Sequence, residues 1–299
     1  MKALVISGGG SKGAFAGGVA EYLMKNKLSD YDIFIGTSTG SLLIPHLALN
    51  NIDKIKSIYT NVNSQEIFDI NPFRIKNLNG ENVISIHHFN VIRQFLRRKR
   101  TFGESHRLLK YIKNNFSIIE FEKLRTTNKE VIITVSNLSL NRVEFKSIAD
   151  FGYDEFCEWI WISCNYVPFM SLAVKNDCEY GDGGFMNLVP IREAIQRGAK
   201  EIDVIVLETE SQISPKIISK NPFSLMVDLF QTLLDQNEKH NITIGKLAAK
   251  NKDVKLNFYY TPTKLTNNAL IFDKTQMTKW WQMGYEYAEN KSNLMSENL

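Results

Sequence analysis

A serine between two glycines, in Gly36-Thr37-Ser38-Thr39-Gly40, is the segment of this sequence best suited to chemistry. It fits G-x-S-x-G, follows an apolar run at Asp32–Ile35 and opens a helical stretch from Thr39 to Leu49. That strand–turn–helix context is the one in which such a serine acts as a nucleophile. The turn must be sharp to expose the hydroxyl. Residues two before and two after the serine crowd it, which suits Gly36 and Gly40. The N-terminus of the following helix favours negative charge developing nearby. Taken alone, the same five residues also suit an ordinary strand-to-helix loop.

A second glycine cluster, Gly8-Gly9-Gly10-Ser11-Lys12-Gly13, lies between the first strand and the first helix. Glycines allow close backbone approach, and successive N–H groups at a helix start bind anions. Beside an acyl-transferring serine that anion is the tetrahedral oxyanion. Gly8, Gly10 and Gly13 also satisfy G-x-G-x-x-G, the dinucleotide fingerprint, which needs an acid near the end of the second strand. Asp30 and Asp32 precede that strand, and Gly36-Thr37-Ser38 occupies its end. A phosphate-binding P-loop fails as well, because Lys12 is followed by Gly13 rather than Ser or Thr.

The serine needs a base. Of the five histidines, His240 alone follows most of the acids, and it sits in a polar helical stretch that reads as solvated. His46 lies too far along the helix after Ser38 to reach its hydroxyl easily. Asp182, in Gly181-Asp182-Gly183-Gly184, is the better candidate. The glycines let the backbone fold tightly around one carboxylate, and partial desolvation would raise its pKa toward a useful range. A plain Asp-Gly turn is the competing interpretation.

The elements that must position these residues alternate along the chain. Ala3–Ser7, Asp32–Ile35, Glu130–Val135, Arg142–Ser147, Ile202–Leu207 and Val254–Tyr260 read as strands, and Glu179 and Tyr180 end a shorter one. Helices are expected over Gly13–Lys25, with Phe15, Val19, Tyr22 and Leu23 on one face, and over Asp154–Ser163, Ile191–Arg197, Leu225–Asn251 and Lys274–Glu289. Pro45 should kink the helix after the serine. The stretch 52–125 reads as mostly helical and polar, broken at Asn71-Pro72 and Asn79-Gly80. The pattern predicts an α/β fold with a mostly parallel sheet: one domain over residues 1–299, with a mostly helical insertion at about 60–125 covering one side.

The bulk numbers agree with such a domain. Hydrophobic residues make up 43% of 299, and a net charge of +4 is too weak to argue for nucleic acid. Cys157, Cys164 and Cys178 form no CxxC pair, so buried thiols are expected rather than disulfides or zinc. The N-terminus lacks the apolar stretch of a signal peptide, and no run approaches the roughly 18 apolar residues of a membrane span. A cytoplasmic chain with at most peripheral membrane contact is the expectation, with signal-independent export left open.

Gly8-Gly9-Gly10-Ser11-Lys12-Gly13, Gly36-Thr37-Ser38-Thr39-Gly40 and Asp182-Gly183-Gly184 together resemble, in order, the three signature blocks of patatin-like phospholipases. Val131–Lys146, the segment from Ser163 to Pro168, Gly198-Ala199 and Gly284-Tyr285 fit the family as well. The resemblance implies a three-layer α/β/α fold and a Ser–Asp dyad without histidine. It implies hydrolysis of fatty-acyl esters in phospholipids, lysophospholipids or neutral lipids, with no cofactor or metal. On motif match, Ser38 is the nucleophile and Asp182 the base. N–H groups around Gly9, Gly10 and Ser11 form the oxyanion hole, and Lys12 supports that loop or a phosphate. Departures from the family pattern fall at Pro45, at Phe169-Met170-Ser171 and at Gly181, and bear on the shape of the acyl pocket.

Two further functions compete. An acyltransferase would use the same serine, but related transacylases place histidine where this chain has Thr37. A non-catalytic lipid-binding protein would not need all three blocks. For lipid contact, eight basic residues between Arg93 and Lys113 face only Glu104; a solvated helix face is the preferred reading and docking on anionic lipid the alternative. Of Trp280 and Trp281, at least one is expected in the core, although a membrane-facing pair is the alternative; Trp159 and Trp161 are expected in the core or acyl-pocket wall.

Overall fold

Alternating apolar residues decide which way each central strand faces. The computed structural model of the protein describes residues 1–26, 30–78, 81–210, 222–266 and 268–297. The chain begins β1 (Lys2–Ile6), α1 (Gly13–Asn26), β2 (Ile33–Thr37), α2 (Thr39–Ala48), α3 (Ile52–Asn61) and α4 (Ser64–Ile67). It continues through β3 (Phe73–Leu78), β4 (Glu81–Ile86), α5 (His88–Leu96), α6 (His106–Asn115), α7 (Ile118–Arg125), β5 (Glu130–Asn137) and β6 (Arg142–Ser147). Next come α8 (Tyr153–Ser163), β7 (Ala173–Lys175), β8 (Cys178–Asp182), α9 (Ile191–Gln196) and β9 (Glu201–Val206). The last elements are α10 (Pro222–Lys252), β10 (Lys255–Tyr260) and α11 (Lys274–Glu297).

Leu4 and Ile6 of β1 enter one apolar cluster, while Ala3 and Val5 enter another on the opposite face. Phe34 divides from Ile33 and Ile35 on β2 in the same way, and Val131, Ile133 and Val135 divide from Ile132 on β5. A sheet apolar on both faces must be covered on both. Helices α1, α2, α8 and α11 contribute to the first cluster; α9 and α10 contribute to the second. The result is the expected three-layer arrangement around an eight-stranded sheet of order β10-β9-β1-β2-β5-β8-β7, with β6 also paired to β5. Strands β10, β9, β1, β2 and β5 are mutually parallel; β6, β7 and β8 join antiparallel.

The registers on β5 fix the rest. Ile132 pairs with both Ile35 of β2 and Ser147 of β6, so those two strands flank β5 on opposite sides. Val135 pairs with both Glu144 of β6 and Asp182 of β8, so β8 lies on the same side as β2. β2 runs parallel to β5 and ends with Thr37 opposite Thr134; β8 runs antiparallel and ends with Asp182 opposite Val135. Two strands therefore meet head-on along one edge of β5, their C-termini at neighbouring positions.

The 60–125 stretch carries helices α4 to α7 together with the antiparallel hairpin β3–β4, which the sequence reading missed. The break expected at Asn79-Gly80 lies outside the described residues. Helix α2 continues through Pro45 to Ala48. Trp280 and Trp281 are both buried, so the membrane-facing alternative is wrong. Trp281 donates from Nε1 to Glu21 Oε2 at 2.6 Å, giving its one polar atom a buried partner. Trp159 and Trp161 are buried as expected. Cys157 and Cys164 are buried, Cys178 is half-buried, and all three are free thiols. No helix among the described residues is long and apolar enough to cross a membrane.

Helix α1 is buried on every side from Gly13 to Leu23 because α11 covers the face turned away from the sheet. The two helices touch backbone to backbone. A Cβ on Gly18 would lie 1.9 Å from the Trp281 carbonyl oxygen, and one on Gly284 would lie 2.1 Å from that of Phe15. Neither backbone atom can move aside without separating the helices. Gly284→Ala is therefore expected to lower stability by about 2–4 kcal/mol, as overpacking of a rigid contact does. Gly152→Ala, where nothing lies within 4 Å, should be near neutral. Urea unfolding of the two variants checks the contrast.

Candidate active site

Ser38 occupies the head-on junction. It follows β2, precedes α2, and has φ 51° and ψ −119°. A non-glycine residue in that region is strained by about 1–3 kcal/mol and persists only where its surroundings hold it. Here they do. The Ser38 N–H donates to Ser163 Oγ at 2.9 Å, and the Ser38 carbonyl accepts from Ser41 N at 2.8 Å and from Cys164 Sγ at 3.2 Å. Ser163 donates in turn to the Thr134 carbonyl at 2.6 Å and lies 2.9 Å from Ser41 Oγ, which donates to the Gly36 carbonyl. The flanking glycines are required on space alone. A Cβ on Gly36 would meet the Gly40 carbonyl carbon at 2.4 Å, and one on Gly40 would meet the Ile6 carbonyl oxygen at 2.3 Å.

Asp182 is the last residue of β8 rather than part of the loop after it. Its N–H donates to the Asn165 carbonyl at 2.9 Å, and its Oδ1 accepts from Gly184 N at 2.7 Å. The Ser38 hydroxyl lies beside the same carboxyl and favours its charged form. Burial pushes the Asp182 pKa up to about 7, and the neighbouring Ser38 hydroxyl and the Gly184 N–H offset only part of that rise. Gly183 passes directly over the Thr134 carbonyl, where a Cβ would lie 2.3 Å from the oxygen, and Gly184 packs against Leu188 and Asp182.

The glycine-rich loop lies beside the serine: a Cβ on Gly8 would lie 3.1 Å from that of Ser38. One peptide of the loop is pinned at both ends. The Gly10 carbonyl accepts from Thr39 Oγ1 at 2.7 Å and from the Tyr59 hydroxyl at 2.5 Å, while the Ser11 N–H donates to the Ala269 carbonyl at 2.8 Å. Gly10 takes φ +55°, and a Cβ there would strike the same Ala269 carbonyl. This corrects the sequence reading. The Ser11 N–H is committed, Lys12 N–H donates to Gly9 O, and Gly13 N–H donates to the Gly10 and Ser11 carbonyls. The N–H groups of Gly8, Gly9 and Gly10 have no protein acceptor among the described residues and are the loop donors left for an anion.

Lys12 is buried and ion-paired with Glu208 just after β9. Of its two expected roles, loop support fits this pairing and phosphate binding does not. Glu238 of α10 is buried nearby, and burial, reinforced by the Glu208 charge, pushes its pKa up to about 8.

Ser38 and Asp182 line a cavity of about 950 Å³. That is the upper end of the range for small-molecule sites, roughly 300–1,000 Å³. One part is apolar, walled by Leu42 and Pro45 of α2, Ile55 and Ile58 of α3, and Ile112 of α6 with Phe116 beyond it. The other is polar, bordered by Gln231, Asp235, Glu238 and Lys239 of α10 and by Lys264. His46 lines the apolar part, and burial lowers its pKa to about 4, so it is neutral there. His240 is exposed on α10.

Several supporting residues escaped the sequence reading. Ser163 and Ser41 brace the elbow. Asn237 donates to the Gly184 carbonyl at 2.9 Å, and Asn241 Oδ1 accepts from Leu188 N at 2.7 Å, so α10 holds the loop after Asp182. The only available signal was the i, i+4 spacing of two asparagines on a helix, which brings them to one face.

The sequence model of a family described as patatin-like phospholipase matches residues 4–195. That interval holds the glycine loop, the elbow and Asp182. No curated protein sequence matches the chain. Among solved structures, the fold resembles VipD from Legionella pneumophila, with a TM-score of 0.52 at 13% identity. The match covers 97% of this chain and 66% of that one, so the chain spans just under two thirds of the relative's length. With the family match extending over more than half of its residues, the chain belongs to the patatin-like phospholipases.

Proposed function

We propose that the protein hydrolyses fatty-acyl esters of phospholipids or lysophospholipids through a Ser38–Asp182 dyad and an acyl-enzyme. Family membership supports lipid acyl hydrolysis in general. The observation that carries the finer reading is the Ser38 hydroxyl, held on a strained turn in a largely apolar cavity beside a buried carboxyl.

In this reading Asp182, as carboxylate, takes the Ser38 proton while Oγ attacks the ester carbonyl. The oxyanion is met by the N–H groups of Gly9 and Gly10. Collapse passes the proton from Asp182 to the departing alcohol and leaves the acyl group on Oγ. Water then attacks the acyl-enzyme, giving its proton to Asp182. Collapse of the second tetrahedral intermediate releases the fatty acid and returns that proton to Ser38. The apolar part of the cavity suits the acyl chain, and its polar border at α10 suits the head-group side. A base with a pKa near the working pH balances availability against proton affinity.

Three measurements test this. Wild type should cleave a p-nitrophenyl fatty ester, and Ser38→Ala and Asp182→Asn should each lower kcat by at least about 10³-fold while remaining folded. An active Asp182→Asn would transfer the base elsewhere, with His240 next to examine. Wild-type kcat/KM should climb as pH rises through about 7 and level off above it, because only the carboxylate accepts the proton.

Stability supplies an independent reading of the same group. Its carboxyl moves from an ordinary 3.8 to about 7 on folding. Between those values the folded chain keeps a proton that the unfolded chain has released, so this group's contribution to stability is lost as pH rises through the window. Asp182→Asn removes that dependence. It should melt above wild type at pH of about 8, with the gap narrowing toward pH of about 4.

A further inference from the structure

Helix α5 is turned inside out. Its buried residue is Gln94, with Asn90 and Val91 half-buried, whereas Phe89, Ile92, Phe95 and Leu96 are 70%, 57%, 81% and 76% exposed. Phe89, Ile92 and Leu96 share one face at helical spacing, and together with Arg93 and Arg97 they line one shallow recess. Burial of a polar face while four large apolar side chains face outward marks a surface that another phase or molecule covers.

Charge identifies which. Residues 82–103 contain no acidic side chain. The basic cluster expected from the sequence divides in the structure: Lys99, Arg100, Arg107 and Lys113 pair with Glu104, Glu179, Asp69 and Asp154. Arg93, Arg97 and Arg98 are exposed and have no acidic partner among the described residues. They stand on α5 and on the two residues that end it. Aromatic and aliphatic side chains flanked by unpaired arginines match an anionic bilayer surface, where the apolar groups enter the acyl boundary and the guanidinium groups meet lipid phosphates.

The helix is anchored next to the cavity. The His87 N–H donates to the Pro72 carbonyl at 2.7 Å, and Asn90 Nδ2 donates to the Asn71 carbonyl at 2.8 Å. The next residue, Phe73, lines the cavity and packs on Phe169 with centroids 5.2 Å apart. We infer that α5 docks the protein on anionic phospholipid membranes through Phe89, Ile92, Phe95 and Leu96, with Arg93, Arg97 and Arg98 reading the charge. Docking stands apart from the chemistry; only its use, bringing the cavity wall to the bilayer, rests on the hydrolase reading.

The test floats the full chain, carrying Ser38→Ala so that lipid is not consumed, with vesicles of phosphatidylcholine plus phosphatidylserine and with phosphatidylcholine alone. Binding should be at least about tenfold tighter to the anionic vesicles and should weaken as salt is raised. Phe89→Ser with Phe95→Ser, and separately Arg93→Glu with Arg97→Glu, should each weaken it by about tenfold or more. In the Ser38 background, both pairs should leave cleavage of a soluble short-chain ester unchanged, which reports intact folding. No binding by the parent, or equal binding by both variants, overturns the assignment. So does a dimer in sedimentation that Phe95→Ser dissociates, since a second copy would then cover the face. A chain that binds vesicles but cleaves no soluble ester retains the docking and loses the hydrolase reading; one that cleaves the ester but binds no vesicle loses only the docking.

Discussion

Two strands approaching each other along one edge of β5 set the position of the serine and the carboxylate. β2 stops opposite Thr134 and β8 stops opposite Val135, so the chain leaves both strands within one residue step, roughly 3.3 Å, of the same point. Neither strand can advance without colliding with the other. Gly183 shows how close the fit is, since its Cα lies against the Thr134 carbonyl and near the Thr37 methyl. Braces converge on the junction from the end of α8 and from α10. Ser163, at the end of α8, accepts from the Ser38 N–H, Asn165 accepts from the Asp182 N–H, and Asn237 of α10 holds Gly184. The strained serine backbone persists because its partner Ser163 ends the packed helix α8, while Asn165 just beyond α8 and Asn237 on α10 hold the Asp182 side.

Burial without a paired cation sets this carboxylate apart from the ion-paired Glu144. Glu144, surrounded by Lys146, Asn137 and Arg142, is held down to about 2 despite its own desolvation. Asp182 has only a hydroxyl and one backbone N–H to favour its charged form, and its pKa moves the other way. The nearest cation in the glycine loop, Lys12, is already answered by Glu208. The site thus keeps a carboxyl free of an ion pair beside a serine, which is the electrostatic condition for a base working near neutrality.

Much of this was legible in the sequence because the signals were local. The glycines around Ser38 and after Asp182 are each required by atoms a few residues away or on the adjacent strand, and the period-2 and 3.6 patterns marked most elements. What escaped detection depends on distant partners. Ser11 loses its N–H to Ala269, more than two hundred residues later, so no reading of the loop by itself can tell which amides stay free. Ser163 and Asn237 brace Ser38 and Gly184 from helices whose own sequences give no reason to single them out. The β3–β4 hairpin lies in a polar stretch where neither period dominates. Helix α5 satisfies the helical period, but its apolar face points outward, and only the buried Gln94 shows the inversion.

The cavity is assembled from two sources that answer to different demands. The proposed reacting groups come from strand ends locked by the sheet, while much of the apolar wall comes from helices α3, α4 and α6 and from Phe73, all outside the sheet register. In the proposed reaction, length, branching and curvature of the bound chain would therefore be read by side chains that can be exchanged one at a time, with the strand ends left where they are. Such a division of labour makes the reaction hard to lose and the substrate easy to change.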